Sequence, residues 1–164
     1  MAFAVFGTDL SAVDGVGRGT LLTLVCELGD NFGQFRSSSA FASWAGLCPN
    51  NKVSGGKVLS RHTPKRSNAV ANALKKAANV IGNLKKGGLN QFFRRVAFKK
   101  GRVHAITATA RKLAVIIWNM VTKKEPFAYL TDEAYANKVR QHKLKHIKRQ
   151  MKLHGIAIEE IVEV

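Results

Sequence analysis

The chain has 164 residues, of which 27 are Lys or Arg and 10 are Asp or Glu, so its formal net charge at pH 7 is +17. Hydrophobic residues make up 46% of it, which is enough to form a core and excludes a disordered chain. No apolar run reaches the roughly 18 residues of a membrane span, and the first residues lack the features of a signal peptide. Two cysteines are too few for a disulfide framework or a zinc site and suit a reducing cytosol.

The positive charge is concentrated in two segments that contain no acidic residue. Residues 31–124 hold 19 Lys and Arg, and residues 134–158 hold seven together with three His. Such a surface repels itself unless a polyanion neutralises it, and nucleic acid does so with release of condensed counterions. The charge pattern therefore favours a nucleic-acid-binding protein over a solvated basic face, a ribosome-binding protein or a protein of acidic membrane surfaces.

Residues 9–30 predict a helix–hairpin–helix unit, because apolar residues at helical spacing lie on both sides of a Gly-Val-Gly stretch. Glycines let a backbone approach a phosphate closely, and the amides in the first turn of the next helix point at it. We therefore expect Gly15, Gly17 and the adjacent Arg18 to contact DNA. An ordinary helical hairpin, in which the glycines only form the turn, is the alternative.

The serine loop, residues 48–62, contains a Pro-Asn-Asn turn and a Ser-Gly-Gly-Lys stretch that begins at Ser54. Val and Leu residues on both sides of the two glycines favour extended backbone, so we expect a short β-ribbon near residues 53–59. Before this loop, the serines at 37–39 are expected to cap a short helix whose aromatic residues face the core.

Residues 63–122 have the apolar spacing of three amphipathic helices. Thr63 is expected as the N-cap of the first one and Pro64 as its first residue. Residues 131–164 predict a basic helix and tail that follows a nucleic-acid backbone, packs on a partner or stays solvated. The predicted fold class is mainly α: a helix–hairpin–helix unit, a small helical bundle, a short β-ribbon and a basic C-terminal helix.

The acid-free span limits the chemistry that this chain can perform. Phosphoryl chemistry that depends on metal ions needs carboxylates to hold them, and residues 31–124 have none. A serine hydroxyl can attack a DNA phosphodiester where cations bind the developing charge, and Ser54 is the candidate nucleophile. The candidate cations that position the phosphate are Lys57, Arg61, Lys65 and Arg66. A plain Gly-Gly turn explains the same stretch without chemistry.

The order of these pieces resembles the C-terminal transposase domain of the insertion sequence 110 family, which includes the pilin-inverting site-specific recombinases. The pieces that carry the resemblance are "GVGRGTLLTLVCELGD", "WAGLCPNNKVSGGK", "NAVANALKKAA" and "FFRRVAFKKG". They lie in a stretch from about Leu10 to about Leu130 that resembles the family. Each piece alone is weak, and their combination is specific.

The resemblance implies a DNA recombinase whose nucleophilic serine falls on Ser54. Family members pair this domain with an N-terminal RuvC-like domain that bears acidic metal ligands, and they act as homo-oligomers. Insertion-sequence members also use a structured guide RNA. The partners implied are therefore DNA, guide RNA and further copies of the chain, with no membrane, in a cytoplasmic and nucleoid-associated location. No cofactor is expected in this chain itself, and Mg²⁺ is expected only with the RuvC-like domain.

We therefore expect residues 1–130 to form the helical transposase C-terminal domain, without the RuvC-like domain, and residues 131–164 to form the basic helix and tail. The leading hypothesis is the DNA-binding, catalytic-serine domain of an insertion-sequence transposase or site-specific DNA recombinase, inactive by itself. The alternative is a non-catalytic helix–hairpin–helix module that binds nucleic acid and in which Ser54 is only a turn residue.

Overall fold

The computed structural model describes residues 2–30, 32–60, 62–64, 68–127 and 132–155, and these residues are mainly helical. The helices are α1 (Ala2–Phe6), α2 (Arg18–Leu28), α3 (Ser38–Trp44), α4 (Ala69–Asn83), α5 (Gly88–Lys100), α6 (Arg102–Lys123) and α7 (Asp132–His154), with 3-10 turns at Leu10–Ala12 and Phe32–Gln34. Between α3 and α4 lies an antiparallel ribbon of β1 (Lys52–Ser54) and β2 (Lys57–Ser60). The predicted mainly α class with a small ribbon is confirmed.

The chain divides into two compact units, Met1–Tyr129 and Leu130–Val164. The first unit holds α1 to α6 and the ribbon, and the second holds α7. Among the helices described in either unit, none has the length and apolarity that would let it cross a lipid bilayer.

Helix α6 is the centre of the first unit and packs against α3, α4 and α5. Apolar residues at helical spacing line its inner face, and Ala105, Leu113 and Ile117 are fully buried there. Helix α4 contributes an alanine-rich face, in which small side chains allow its neighbours to approach closely. Burial of these faces, not helix propensity, supplies most of the stability of such helices.

Aromatic residues from three elements close the other end of this core. The ring of Phe32 lies 5.7 Å from that of Phe6 and 5.3 Å from that of Phe41, and the ring of Phe35 lies 5.2 Å from that of Trp44. As predicted, Phe41 is fully buried, whereas Trp44 is half-buried and packs on the core. Edge-on and tilted contacts of this kind add stability beyond the buried area.

Two local predictions are corrected by the structure. Helix α4 begins at Ala69, with the side chain of Asn68 accepting a hydrogen bond from the backbone N–H of Ala71 at 3.0 Å, so Thr63 and Pro64 do not start it. Asn is as good an N-cap as Thr, and here it is the residue next to the buried helical face. The first arm of the predicted helix–hairpin–helix unit is also shorter than expected, because Leu10–Ala12 forms a single 3-10 turn.

The N-cap of the short helix α3 follows the sequence prediction. The Ser37 hydroxyl accepts a hydrogen bond from the backbone N–H of Ala40 at 3.1 Å. This contact satisfies one of the amides that the first turn of any helix leaves without an internal partner.

Candidate nucleic-acid interface and serine ribbon

Ser54 is the last residue of β1 and lies directly before the turn of the ribbon, which we call the serine ribbon (residues 52–60). Gly55 and Gly56 form the turn with φ of +54° and +74°, the backbone of a two-residue type I′ hairpin loop. This loop pairs Ser54 with Lys57 across the strands. Because paired residues of an antiparallel ribbon share a face, with Cβ atoms about 5 Å apart, the side chain of Lys57 lies on the same face of the ribbon as the serine hydroxyl.

The serine ribbon is exposed to solvent along nearly its whole length. Ser54 is itself exposed, and the apolar side chains of Val53 and Leu59 are 59% and 71% exposed. At its base, the backbone N–H of Asn50 donates a 2.9 Å hydrogen bond to the carbonyl of His62. The ribbon therefore presents Ser54 to the solvent and not to the interior of the protein.

Among the described residues, a cation and no hydrogen-bonded base accompany Ser54. Within the part of the chain that the structure describes, no side chain accepts a hydrogen bond from its hydroxyl, and residues 31–124 contain no carboxylate. Among the cations predicted for this site, Lys57 is placed next to Ser54. The other three, Arg61, Lys65 and Arg66, lie outside the described residues.

The predicted glycine turn before α2 has two glycines with different surroundings. Gly15 has φ +78°, and a Cβ at this position would lie 2.5 Å from the backbone oxygen of Ala77 and 2.8 Å from Cγ1 of Ile81. Gly15 is therefore needed for the close packing of the turn on α4. Gly17 is the N-cap of α2, has extended backbone, and has no atom within 4 Å of where its Cβ would be.

Arg18 is the first residue of α2 and is exposed beside Gly17. Gly17 and the open N-terminus of α2 border a groove of about 620 Å³ between α2 and α4, and Lys76 lines the groove from the α4 side. Nothing in the local sequence distinguishes Lys76 from the other lysine of α4. Its position opposite the glycine turn depends on how α2 packs against α4, and helical spacing alone does not reveal it.

One acidic residue lies in the glycine turn. Burial raises the pKa of the Asp14 carboxyl above its usual value, because desolvation disfavours the charged form. By contrast, Asp9 caps the preceding 3-10 turn, and hydrogen bonds from the Ser11 hydroxyl and the Ser11 backbone N–H lower the pKa of its carboxyl. Neither acid is a candidate metal ligand, and among the described residues no group of three or more His, Cys, Asp or Glu side chains could hold a metal ion.

A larger concave surface, the basic groove, lies between α5 and α6 and has a volume of about 1040 Å³. The two helices diverge from Gly101, which has φ +83°. Cations from both helices line the groove, and they include Arg95, Lys99, Lys100, Arg111 and Lys112. The sequence analysis did not assign these cations to a site. Their spacing within each helix was visible, but the juxtaposition of the two helices was not.

An aromatic ring connects the two walls of the basic groove. The Nζ atom of Lys112, from α6, lies 4.4 Å from the ring centroid of Phe92, and Cζ of Arg95 lies 5.7 Å from the same centroid. Cations over an aromatic face are attracted by the ring quadrupole. Phe92 therefore holds one cation from each wall at the floor of the groove.

Comparison with known proteins gives one family match. A family model described as Transposase IS116/IS110/IS902 family matches residues 8–92, slightly more than half of the chain. The matched segment contains the glycine turn, α3, the serine ribbon, α4 and the start of α5. A search of curated proteins found no match. The groove-lining cations of α5 and α6 lie beyond the matched segment.

Proposed function

Because the chain belongs to the transposase IS116/IS110/IS902 family, whose members transpose or recombine DNA, we propose that it is a DNA-binding domain in which Ser54 is the nucleophile. The observation that carries this proposal is the exposed Ser54 at a two-glycine turn, opposite Lys57, within the segment that the family model matches. A type I′ turn of two glycines leaves no side chain between the hydroxyl and an approaching phosphate.

In the proposed reaction, Oγ of Ser54 attacks the phosphorus of a DNA phosphodiester and forms a serine–phosphate ester. The bond between phosphorus and one deoxyribose oxygen breaks, and that oxygen takes a proton from water as it leaves. No described side chain accepts a hydrogen bond from the serine hydroxyl, so we propose that its proton goes to a base outside the described residues. Lys57 neutralises part of the charge that develops on the phosphate oxygens in the transition state.

We propose that this chain does not itself hold the metal ions of the reaction. The family resemblance implies Mg²⁺, yet the described residues offer no cluster that fits it, and hard cations of this kind need several oxygen ligands. We propose that the carboxylates for any metal ion belong to a RuvC-like domain outside the described residues. Ser54 and Lys57 then form only one half of the active site.

The glycine turn supplies a second DNA contact in this proposal. The backbone amides at the open N-terminus of α2, with Gly17 at the cap and Arg18 beside it, suit a phosphate of the DNA backbone. Gly15 packs the turn on α4, lines the same groove as Gly17, and stays a predicted backbone contact to the DNA. Arg61, Lys65 and Arg66 remain predicted contacts near the scissile phosphate. A structured guide RNA and a homo-oligomer of two or more copies are also proposed, on the strength of the resemblance.

The test is a comparison of Ser54→Ala with the unchanged chain in the presence of a RuvC-like domain from a family relative and a target DNA. We expect an adduct between protein and DNA that survives denaturing gel electrophoresis in the unchanged chain and is absent with Ser54→Ala. Binding of the DNA is expected to change by less than about twofold, because the hydroxyl is one neutral group. Ser60→Ala, at the other end of the same ribbon, is the matched control and should retain the adduct.

The outcomes of this comparison separate the two functions. An adduct that persists in Ser54→Ala would show that another group is the nucleophile. If the unchanged chain binds DNA but forms no adduct with any RuvC-like domain, the chain is the non-catalytic binding module that the sequence offers as its alternative.

A further inference from the structure

The basic groove combines cationic walls with exposed apolar side chains, a combination that is unusual for a surface that contacts only solvent. Its described lining contains no acidic residue, although its walls carry cations from both α5 and α6. Its floor and rim include apolar side chains, among them Val96 and Val103, and Val103 is 75% exposed. A concave surface with an apolar floor and cationic walls matches a ligand with an anionic backbone and flat apolar groups.

The shape of the groove selects between a single strand and a duplex. Its walls are two neighbouring packed helices, and the axes of such helices are usually about 8–10 Å apart. The furrow between two such helices is about as wide as the spacing of their axes, whereas a duplex is wider than its own major groove of about 12 Å, so a duplex can contact only the rim of this groove. An unpaired strand can enter, place its phosphates against the cations and lay its bases on the apolar floor.

We propose that the basic groove binds an unpaired strand of DNA next to the serine ribbon. The inference rests on the proposed function, in which Ser54 breaks a DNA strand and a free strand end has to be held. Pro49, His62 and Thr63, which flank the serine ribbon in the chain, form part of the groove lining. A strand that leaves the groove on this side therefore passes the base of the ribbon. The choice of DNA over RNA follows from the transposase family.

Phe92 has a positioning role in this proposal. It fixes Lys112 and Arg95 over one ring, so two cations from opposite walls are held at the floor before a strand arrives. Preorganised charges lose less side-chain entropy on binding than mobile ones. Phe92→Leu keeps an apolar side chain of similar size and is expected to weaken strand binding at least threefold without a change in helix content.

The experiment uses the full chain and three labelled oligonucleotides of equal length: unpaired DNA, unpaired RNA and duplex DNA. The groove variant is Lys99→Glu with Arg111→Glu, which reverses one charge on each wall. The control variant is Lys85→Glu with Lys86→Glu, two exposed residues between α4 and α5 that do not line the groove. Both variants change the net charge equally, so a difference between them reports the position of the charges. Circular dichroism checks that both are folded.

We expect the groove variant to lose at least about tenfold in affinity for unpaired DNA, and the control variant less than about threefold. Two lost phosphate contacts should also make the log–log salt slope shallower by about 1.4, at about 0.7 per contact for single strands. Equal losses in both variants would overturn the proposal, as would a groove variant that loses more affinity for RNA or duplex DNA than for unpaired DNA. Should the groove variant misfold, the affinity of Phe92→Leu for unpaired DNA tests the same proposal, and an unchanged affinity would overturn it.

The failure of this inference can be told apart from the failure of the proposed function. Ser54 does not line the groove, so Ser54→Ala should bind unpaired DNA as tightly as the unchanged chain. If the groove does not bind a strand but the chain still forms the Ser54 adduct, only the proposal about the groove is contradicted. If the groove binds a strand but no adduct forms, only the assignment of Ser54 as the nucleophile is contradicted.

Discussion

Gly15 and Gly17 stand two positions apart in one turn, yet the fold uses them for different purposes. At Gly15 the positive φ and the backbone of α4 both exclude a side chain, whereas Gly17 has allowed backbone for any residue and faces open space. The same residue type at neighbouring positions therefore supports packing in one case and access in the other. A pair of alanine substitutions can measure the two effects separately.

We expect Gly15→Ala to lower the free energy of unfolding by about 2–4 kcal/mol, because a Cβ adds left-handed strain and a clash with Ala77. Gly17→Ala should cost less than about 1 kcal/mol but weaken DNA binding about fivefold, the equivalent of roughly one lost hydrogen bond. Urea unfolding and DNA titration measure the two quantities. A Gly17→Ala variant with unchanged DNA affinity would show that no phosphate approaches the α2 N-terminus.

Among the elements, the serine ribbon depends most on its turn. A two-stranded ribbon is marginally stable by itself, and Val53 and Leu59 remain largely exposed, so burial contributes little to it. Its register is set by the backbone of Gly55 and Gly56, which pairs Ser54 with Lys57. The position of the candidate nucleophile is therefore a property of the turn and not of the core.

Two substitutions at Gly55 test this dependence. Asn tolerates the left-handed region and is common at the first position of a type I′ turn, whereas Val is strongly disfavoured there. Gly55→Asn should retain protection of the ribbon amides in hydrogen exchange and retain the Ser54 adduct, while Gly55→Val should lose both. The unfolding midpoint of the helices should be nearly the same in both variants. Adduct formation at the normal rate in Gly55→Val would show that the ribbon geometry is not needed.

At the scale of the whole molecule, charge dominates the behaviour of the chain. Residues 31–124 contain 19 cations and no acid, and several of those that the structure describes lie on the serine ribbon, in the α2–α4 groove and in the basic groove. Few ion pairs can form within such a surface, so the fold carries a large uncompensated positive potential. Binding of a polyanion should then depend steeply on ionic strength.

We expect the logarithm of the association constant for duplex DNA to fall linearly with the logarithm of salt concentration, with a slope of about −4 or steeper. This slope corresponds to about five phosphate contacts at about 0.9 per contact. Titrations between 50 and 300 mM salt, roughly the range in which the Debye length falls below 10 Å, measure it. A slope shallower than about −1 would contradict a surface that follows the DNA backbone.

The sequence by itself determined the features that depend on neighbouring residues. Apolar spacing predicted the helices, two glycines predicted the turn after Ser54, and composition predicted a basic protein without acids in its centre. The tertiary structure alone decided which of these features meet: that Gly15 lies against Ala77, that α4 begins after Asn68, and that α5 and α6 form one groove. The reason is physical. Local backbone preferences act over a few residues, whereas a groove or a close helix contact depends on the packing of segments that are distant in the chain.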